Sequence, residues 1–317
     1  MPIPPYIDLH CDTAYEMYSR GQTILQNDLA VSLRNAQVYP HYAQFFAIWS
    51  DRRLDDDAAY QNYLHISDFF SGQLKNPDVS DKIALLRTGA DLDRLWNESR
   101  CAAIPAVEDA RLLGGDLTRL DELRRRGVRA LTLLWGGNTC IGGSHDTSDG
   151  LTDFGVSVVK RCFELEIVPD ISHAGEQSAE QVLSLAAEAG KPVLATHSNA
   201  YGVYPHTRNL RDRHFKALQQ LDGLVGINLC APHLCDIQNH PATVEDVFRH
   251  IEYYLALGGE KNVSIGADWD GAPTPEGIRT IADLPLLAEC MAKHNYTERQ
   301  INNIFFANAA RFIRQYL

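Results

Sequence analysis

An alternation of short apolar runs and longer amphipathic stretches is the feature of this chain that most constrains its fold. Most of the runs are almost continuously apolar, which is typical of parallel strands that are buried on both faces. Eight runs are predicted to be strands: Tyr6–His10, Ala43–Trp49, Cys101–Glu108, Arg129–Trp135, Val168–His173, Val193–His197, Leu224–Leu229 and Val263–Asp268. The predicted helices are Asp56–Leu74, Leu117–Arg126, Asp153–Glu166, Ala179–Ala189, Asp212–Leu221, Val244–Leu257, Ile281–His294 and Thr297–Tyr316.

Eight strands that alternate with helices predict an α/β fold of the (β/α)8, or TIM barrel, type. A chain of 317 residues fits one such barrel, so we expect a single domain over residues 1–317. The segment 50–100 is longer than one crossover requires, and its two helix-like stretches predict an elaboration of one unit. The glycine- and proline-rich segments Gly136–Gly150 and Ala272–Gly277 follow strand ends and are predicted to be active-site loops.

Charge and cysteine content argue against several classes of protein. The formal net charge of −12 argues against a nucleic-acid partner, which would require a basic face. No apolar run approaches the length of a membrane span, and residues 1–5 lead into the first strand without a signal-like segment. The seven cysteines are scattered and form no CxxC pair, which favours reduced thiols and predicts a cytoplasmic location.

The first predicted strand ends in His10-Cys11-Asp12. Residues i and i+2 of a strand point to the same side, so His10 and Asp12 can converge while Cys11 faces the core. An imidazole and a carboxylate form a suitable half-site for zinc or a similar divalent ion. On its own the pattern is common and therefore weak.

Further metal-competent side chains end other predicted strands, at Glu108, His173, His197 and Asp268. Functional groups of a TIM barrel lie at the C-terminal ends of its strands, so these side chains are expected to meet. The set is too large for one tetrahedral catalytic zinc, which takes three protein ligands and a water. It suits two metal ions: one on His10 and Asp12, the other on the two later histidines, with Glu108 bridging them. Asp268 would then exchange protons with the shared water and the leaving amine.

Motifs around these residues resemble a known family. Asp-Leu-His-Cys-Asp-Thr, the Val-Glu that ends strand three, Asp-Ile-Ser-His, Thr-His-Ser-Asn-Ala-Tyr and Gly-Ala-Asp-Trp-Asp-Gly occur in this order. Their order and spacing resemble those of the renal-type (membrane) dipeptidases, peptidase family M19 of the amidohydrolase superfamily. The resemblance extends over nearly the whole chain.

The resemblance implies a distorted TIM barrel that holds two zinc ions, with Glu108 as the bridging ligand. It implies that the other ligands are His10, Asp12, His173 and His197, and that Asp268 is the catalytic acid and base. Arg208 matches the family arginine that holds the free carboxylate of the substrate. The resemblance also implies a dipeptide substrate and a homodimer.

Two positions on the substrate side depart from the family pattern. Trp135 stands where the family has a histidine that helps to stabilise the tetrahedral intermediate, and an indole cannot become a cation. Cys230 stands where the family tends to have a tyrosine near the substrate. His145, in the loop after strand four, is one candidate for the missing imidazole. The metal side matches the pattern, so we expect the same chemistry with altered specificity.

The leading hypothesis is therefore a zinc-dependent dipeptidase in which a metal-bridging hydroxide attacks the scissile carbonyl. The resemblance implies that peptides with a C-terminal D-amino acid are among its substrates. A second hypothesis is another amidohydrolase reaction, on a lactone, a β-lactam or an N-acyl amino acid. A third is a binding protein that keeps the fold without activity, which the complete ligand set disfavours.

Overall fold

A computed structural model describes residues 2–317, and nine parallel strands form its centre. The strands are β1 (Tyr6–Cys11), β2 (Tyr42–Trp49), β3 (Ile83–Leu85), β4 (Cys101–Glu108), β5 (Ala130–Thr132), β6 (Val168–Asp170), β7 (Leu194–Ala195), β8 (Leu224–Ile227) and β9 (Val263–Ile265). Eight of them close into a barrel in the order β1-β2-β4-β5-β6-β7-β8-β9, and β9 pairs with β1. The predicted (β/α)8 fold is thus confirmed, with one strand for each of the eight predicted.

The ninth strand, β3, belongs to the predicted elaboration in segment 50–100. It pairs with the first residues of β4, with Ile83 opposite Cys101, while β5 pairs with the last residues of the same strand. It therefore lies outside the closed ring. Because it has only three residues, it carries no periodic signal that would predict it.

The helices are α1 (Thr13–Arg20), α2 (Leu33–Ala36), α3 (Asp56–Lys75), α4 (Pro77–Ser80), α5 (Gly89–Asn97), α6 (Thr118–Arg125), α7 (Asp153–Leu165), α8 (Glu176–Ala189), α9 (Asp212–Gln220), α10 (Ala231–Leu234), α11 (Val244–Ala256), α12 (Pro285–Lys293), α13 (Glu298–Asn302) and α14 (Asn308–Tyr316). Short 3-10 turns cover Ala110–Leu113 and Ile281–Asp283. No helix within residues 2–317 is long and apolar enough to cross a membrane.

Two predicted helices are interrupted. The predicted helix Ile281–His294 begins as a 3-10 turn and becomes α-helical only at Pro285, which occupies the first turn because it has no N–H to donate. The predicted terminal helix Thr297–Tyr316 contains a π-helical turn at Asn303–Ala307 between α13 and α14. The prediction of one continuous α-helix in each of these two segments is therefore wrong in detail.

Alternate residues of the strands face two different apolar clusters. Phe46 packs against Phe70 of α3, with ring centroids 4.7 Å apart, and thus joins the layer between barrel and helices. Phe45 belongs to the other cluster, which continues into α5 and α14 through side chains such as Trp96 and Phe312. These two helices therefore cover one end of the barrel and leave the opposite end, where the strands terminate, for the functional groups.

The predicted ends of five strands lie beyond the observed ones. One of them is β8, which ends at Ile227 instead of Leu229, and the other four concern candidate site residues. β5, β6, β7 and β9 end at Thr132, Asp170, Ala195 and Ile265, so that Trp135, His173, His197 and Asp268 lie in the loops that follow. At two of these positions the reason is the backbone: His173 and Asp268 have φ of 66° and 63°, in the left-handed region that no strand residue adopts. The strand assignment of these residues was wrong, but their position at the C-terminal end of the barrel was right.

Close packing of β7, β8 and β9 holds these loops together. A Cβ atom on Gly226 or Gly266 would lie 1.9 Å or 1.6 Å from the carbonyl oxygen of Thr196. Only glycine allows the backbones to approach this closely. The loops that carry His197 and Asp268 consequently start from adjacent points on the barrel rim.

Candidate metal centre

The six predicted metal-side residues all lie at the C-terminal end of the barrel. His10 is in β1 and Glu108 is the last residue of β4, while Asp12 is the N-cap residue that precedes α1. His173, His197 and Asp268 follow β6, β7 and β9. Ligand atoms of these residues fall into three groups of three, each within 4.8 Å: His10 with Asp12 and Glu108, Glu108 with His173 and His197, and His10 with His197 and Asp268.

Glu108 is at the centre of the arrangement. Its Oε1 lies 3.0 Å from His173 Nε2 and 3.2 Å from His197 Nε2. Its Oε2 faces the other side, 3.6 Å from His10 Nε2. One carboxylate therefore presents one oxygen to each half of the predicted site, which is the placement that a bridging ligand requires.

A β-bulge directs His10 into the site. The register of β1 against β2 shifts between Asp8 and Cys11. Asp8 lies opposite Gln44 and Cys11 opposite Phe46, so an advance of three residues in β1 matches an advance of two in β2. Bulges re-aim side chains next to active sites. Cys11 is fully buried in the layer under the helices, as expected, while His10 Nε2 and Asp12 Oδ1 are buried without a hydrogen-bond partner in residues 2–317.

Charges in the site are unbalanced in a way that fits metal ions. Burial raises the pKa of Asp12 well above its ordinary value, and the nearby Glu108 raises it further. Burial also raises the pKa of Asp268, with a further contribution from Glu108. Burial alone would lower the pKa of His10, but the surrounding carboxylates raise it to about 10. Two buried carboxylates and the half-buried carboxylate of Asp268 thus converge on one place, and bound divalent cations would neutralise them.

Hydrogen bonds orient the two histidines on the other side of Glu108. His173 Nδ1 lies 3.0 Å from the carbonyl oxygen of Trp135 and can only donate to it. His197 Nδ1 lies 2.8 Å from Thr196 Oγ1, whose own proton goes to Asp170 Oδ2 at 2.5 Å. Both rings therefore carry their hydrogen on Nδ1 and keep the Nε2 lone pair for a metal ion.

The Thr196 hydroxyl gives a specific prediction. Thr196→Val should weaken metal binding by about 10–100-fold, because His197 loses the acceptor that sets its tautomer. Thr132→Val is the matched control, since Thr132 donates to the same Asp170 oxygen at 2.6 Å but has no bond to His197. Metal affinity would be measured by competition with a chelator. Equal losses in the two variants would mean that Asp170 packing, not the tautomer, controls binding.

Asp268 lies next to the proposed metal ligands, with one carboxylate oxygen near His10 and the other near Asn228. Its Oδ1 is 3.8 Å from His10 Nε2, and its Oδ2 accepts a bond from Asn228 Nδ2 at 3.3 Å. The raised pKa of this carboxyl brings it closer to the range in which a group can both accept and release a proton at neutral pH. The position predicted for the acid and base is therefore chemically suitable.

Arg208 lies at the edge of the same site and is 4% exposed. Its guanidinium donates to Ser198 Oγ at 3.2 Å and to the carbonyl oxygen of His197 at 2.9 Å. Its Nε has no partner, and no carboxylate within residues 2–317 forms an ion pair with it. Buried arginines are normally paired with an anion, so the absence of an internal partner favours an anionic ligand.

The two departures on the substrate side are close to the metal residues. The ring of Trp135 lies 6.0 Å from that of His173 and 5.2 Å from that of Trp49. Cys230 is buried, and burial with the nearby Asp268 raises the pKa of its thiol to about 12. His145 reaches the site as well, with its ring 5.6 Å from that of His173.

Several residues of the site were not predicted from the sequence. Asp170 and Thr196 orient His197 from inside two of the motifs already noted, Asp-Ile-Ser-His and Thr-His-Ser. Asn228 contacts Asp268, and His206 and His233 lie on the Arg208 side. Asp170 and Thr196 could have been found because they lie inside the motifs. His206 and His233 have no sequence signal apart from their residue type.

Comparison with known proteins identifies the family of the chain. A model of the membrane dipeptidase family, peptidase family M19, matches residues 3–316. An uncharacterised protein in the pqqA 5′ region of Klebsiella pneumoniae is 29% identical over 243 residues, 74% of this chain and 89% of that protein. The dipeptidase tcpJ of Claviceps purpurea (strain 20.1) is 26% identical over 241 residues, 74% of this chain but 56% of that protein.

Solved structures show the same likeness over nearly the full chain. The dipeptidase AC, a metallopeptidase of family M19, is 25% identical, with a TM-score of 0.89 over 99% of this chain and 98% of that one. A metallopeptidase from Rhodobacter sphaeroides, bound to a phosphinate mimic of L-Ala-D-Ala, is 24% identical, with a TM-score of 0.90 over 99% of both chains. Since the family match spans residues 3–316, the chain belongs to the membrane dipeptidase family, peptidase family M19, and is a metallo-dipeptidase.

Proposed function

We propose that this metallo-dipeptidase uses two zinc ions, bridged by Glu108, and that its substrates include dipeptides with a C-terminal D-amino acid. The observation that carries the proposal is the position of Glu108, whose two carboxylate oxygens face histidines on opposite sides. His10 and Asp12 would hold one ion, and His173 and His197 the other. Imidazole and carboxylate ligands suit zinc. His10 Nε2 and Asp12 Oδ1 are buried without a hydrogen-bond partner within residues 2–317, and both atoms are available to bind a metal ion.

Two bound zinc ions would supply the Lewis acidity that polarises the scissile carbonyl and the hydroxide that attacks it. The chain's own residues perform the remaining tasks. Asp268 accepts the proton of the attacking water and delivers a proton to the leaving amine. Asn228 restrains one oxygen of Asp268 and leaves the other directed towards His10.

Arg208 would fix the length of the substrate. Its guanidinium is buried and lacks an internal carboxylate partner, so the free C-terminal carboxylate of a dipeptide would complete its coordination. A planar fork binds a carboxylate through two parallel hydrogen bonds, which holds the peptide in one orientation. A longer peptide would place its carboxylate elsewhere, and the site would select dipeptides.

Arg208→Met should lower kcat/KM for dipeptides by about 10²–10³-fold, because a charge-assisted bidentate contact of about 3–4 kcal/mol is lost. The loss should be much smaller for the same dipeptide with an amidated C-terminus. Arg213→Met is the matched control, since Arg213 makes only exposed ion pairs with Glu176 and Glu180. An equal loss on both substrates would assign Arg208 to structure and would favour lactones or other substrates without a free carboxylate.

A panel of substrates tests the proposed function itself. L-Ala-D-Ala is the first dipeptide to examine, because a mimic of it binds the similar Rhodobacter sphaeroides protein. The zinc-loaded enzyme should hydrolyse it, together with L,L-dipeptides, and should not hydrolyse N-acyl amino acids or lactones at comparable rates. Hydrolysis of the latter group alone would overturn the dipeptide assignment. The single-domain organisation, the homodimer and the cytoplasmic location stay predictions.

A further inference from the structure

Three histidines outside the metal set surround Arg208. His145 comes from the loop after β5, His206 from the loop after β7, and His233 from α10 after β8. All three are half-buried, and together with Arg208 they are called the histidine wall below. They are separate from the five proposed metal ligands, and the catalytic steps described above do not use them.

Hydrogen bonds hold each of the three histidines, in His206 through the ring and in His233 and His145 through the backbone. His206 Nδ1 accepts the backbone N–H of Arg208 at 3.1 Å, so a neutral His206 ring carries its hydrogen on Nε2. The ring of His233 packs on that of His206, with centroids 4.7 Å apart, and Asn209 Nδ2 donates to the His233 carbonyl at 2.9 Å. The backbone N–H of His145 donates to the carbonyl of His173 at 2.8 Å. His206 and His233 are thus connected to each other and to the Arg208–Asn209 segment, whereas His145 is connected to His173.

Hydrogen-bonding capacity in the histidine wall is unused. His145 Nδ1 and His233 Nδ1 are buried and have no hydrogen-bond partner within residues 2–317. The charged and titratable groups that act most strongly on His233 are Arg208, His206, His173 and His145, all of them basic. Buried polar atoms that lack a partner favour a ligand that supplies one.

Acidic side chains contribute little to the histidine wall. Asp146, beside His145, already accepts bonds from Ser144 Oγ and from the N–H of Gly137. The other nearby carboxylates are Glu108 and Asp268, which face the metal centre. The histidine wall therefore consists of imidazoles that can each donate one hydrogen bond and of one fixed cation, and no carboxylate within residues 2–317 forms an ion pair with Arg208, His206 or His233.

We propose that His206 and His233, together with His145, form a subsite for the side-chain carboxylate of an acidic second residue, so that dipeptides ending in aspartate or glutamate are preferred substrates. The proposal rests on the proposed function, because Arg208 must first hold the main-chain carboxylate of that residue. The side chain of the same residue then lies next to the imidazoles that flank Arg208. An imidazole N–H donates a stronger hydrogen bond to a carboxylate than to a neutral amide of the same shape.

The test compares L-Ala-D-Asp with L-Ala-D-Asn, and L-Ala-L-Asp with L-Ala-L-Asn, on the zinc-loaded enzyme. Each pair differs in charge but hardly in size. In the pair of the preferred configuration, kcat/KM should be at least about 10-fold higher for the acidic peptide, which corresponds to about 1.4 kcal/mol. In His233→Phe or His206→Phe, which keep a flat ring without the N–H, the ratio should fall towards one. His233→Gln retains a donor and should retain part of the preference.

His65→Phe serves as the control, because His65 is exposed on α3. It should leave the Asp-to-Asn ratio unchanged. Hydrolysis of both peptides at equal kcat/KM would overturn this inference alone and leave the dipeptidase assignment standing. A preference for L-Ala-D-Phe over L-Ala-D-Asp would also overturn it, since the imidazoles would then act as a stacking surface. Failure to hydrolyse any dipeptide, including L-Ala-D-Ala, would contradict the proposed function itself and this inference with it.

Discussion

Glu108→Gln should lower kcat/KM by about 10⁴-fold or more, since losing the bridge removes at least about 5 kcal/mol of metal-assisted stabilisation of the transition state. The glutamine amide has almost the same shape as the carboxylate, but it has one neutral oxygen and cannot bind two cations through two anionic oxygens. It also leaves His173 and His197 without the carboxylate oxygen that lies 3.0 and 3.2 Å from them. The purified variant should contain less than two equivalents of metal by elemental analysis.

Glu164→Gln is a suitable control for this experiment, because Glu164 forms an exposed ion pair with Arg161 on α7. It should keep metal content and activity, because exposed ion pairs contribute little. Thermal unfolding of the Glu108 variant with and without zinc would separate metal loss from misfolding. A Glu108→Gln protein with two metal ions and near-normal turnover would contradict the bridging role.

Asp268→Asn should lower kcat by about 10²–10⁴-fold, the range that general acid and base groups contribute, while metal content stays at the wild-type level. Asparagine is preferable to alanine here, because Asp268 has a φ of 63°, a left-handed conformation that asparagine tolerates and alanine does not. The substitution thus removes the proton-transfer group without straining the loop. Single-turnover kinetics would show whether the chemical step is the one affected.

Asp270→Asn offers a matched control within the same loop. Asp270 has a φ of 67° and accepts bonds from Thr13 Oγ1 at 2.5 Å and from the backbone N–H of Ala30 at 2.7 Å. These contacts anchor the loop rather than face the substrate, so this variant should lose stability more than kcat. If both aspartates gave the same loss of kcat, the effect would come from the loop and not from proton transfer.

The barrel could be predicted because its strands lie in short, almost continuously apolar runs that are separated by amphipathic helices. Burial on both faces dictates that pattern, and it survives in the sequence without any tertiary information. The strand ends could not be predicted in the same way. His173 and Asp268 continue apolar runs, but their left-handed backbone removes them from the strands, and residue type does not reveal this conformation.

The β-bulge at His10 shows a second limit. His10 and Asp12 lie together as expected, but Asp12 follows the strand with φ of −95° and ψ of 9°, so the i, i+2 rule is not the reason. The register shift between Asp8 and Cys11 depends on pairing with β2. Pairing across strands is a tertiary property. The short strand β3 and the π-helical turn at Asn303–Ala307 were missed for the same reason, because neighbouring elements and not local periodicity determine them.

The residues of the site also differ in how far the sequence could predict them. Residues that could hold metal were predictable, because histidine and carboxylates at strand ends have few other reasons to converge. The residues that orient them were not, because Thr196 and Asp170 acquire their role only through distances of 2.8 and 2.5 Å in the folded chain. The same is true of His206 and His233, which lie 27 residues apart in sequence but pack ring on ring.

Titration of the metal-free enzyme with zinc tests the central claim most directly. Protein stripped by a chelator would receive increasing equivalents of zinc, and hydrolysis of L-Ala-D-Ala would be measured at each step. The proposed bridged site predicts that activity rises until two equivalents are bound and then stays constant. Full activity at one equivalent, or activity that does not depend on metal, would contradict a two-metal centre held together by Glu108.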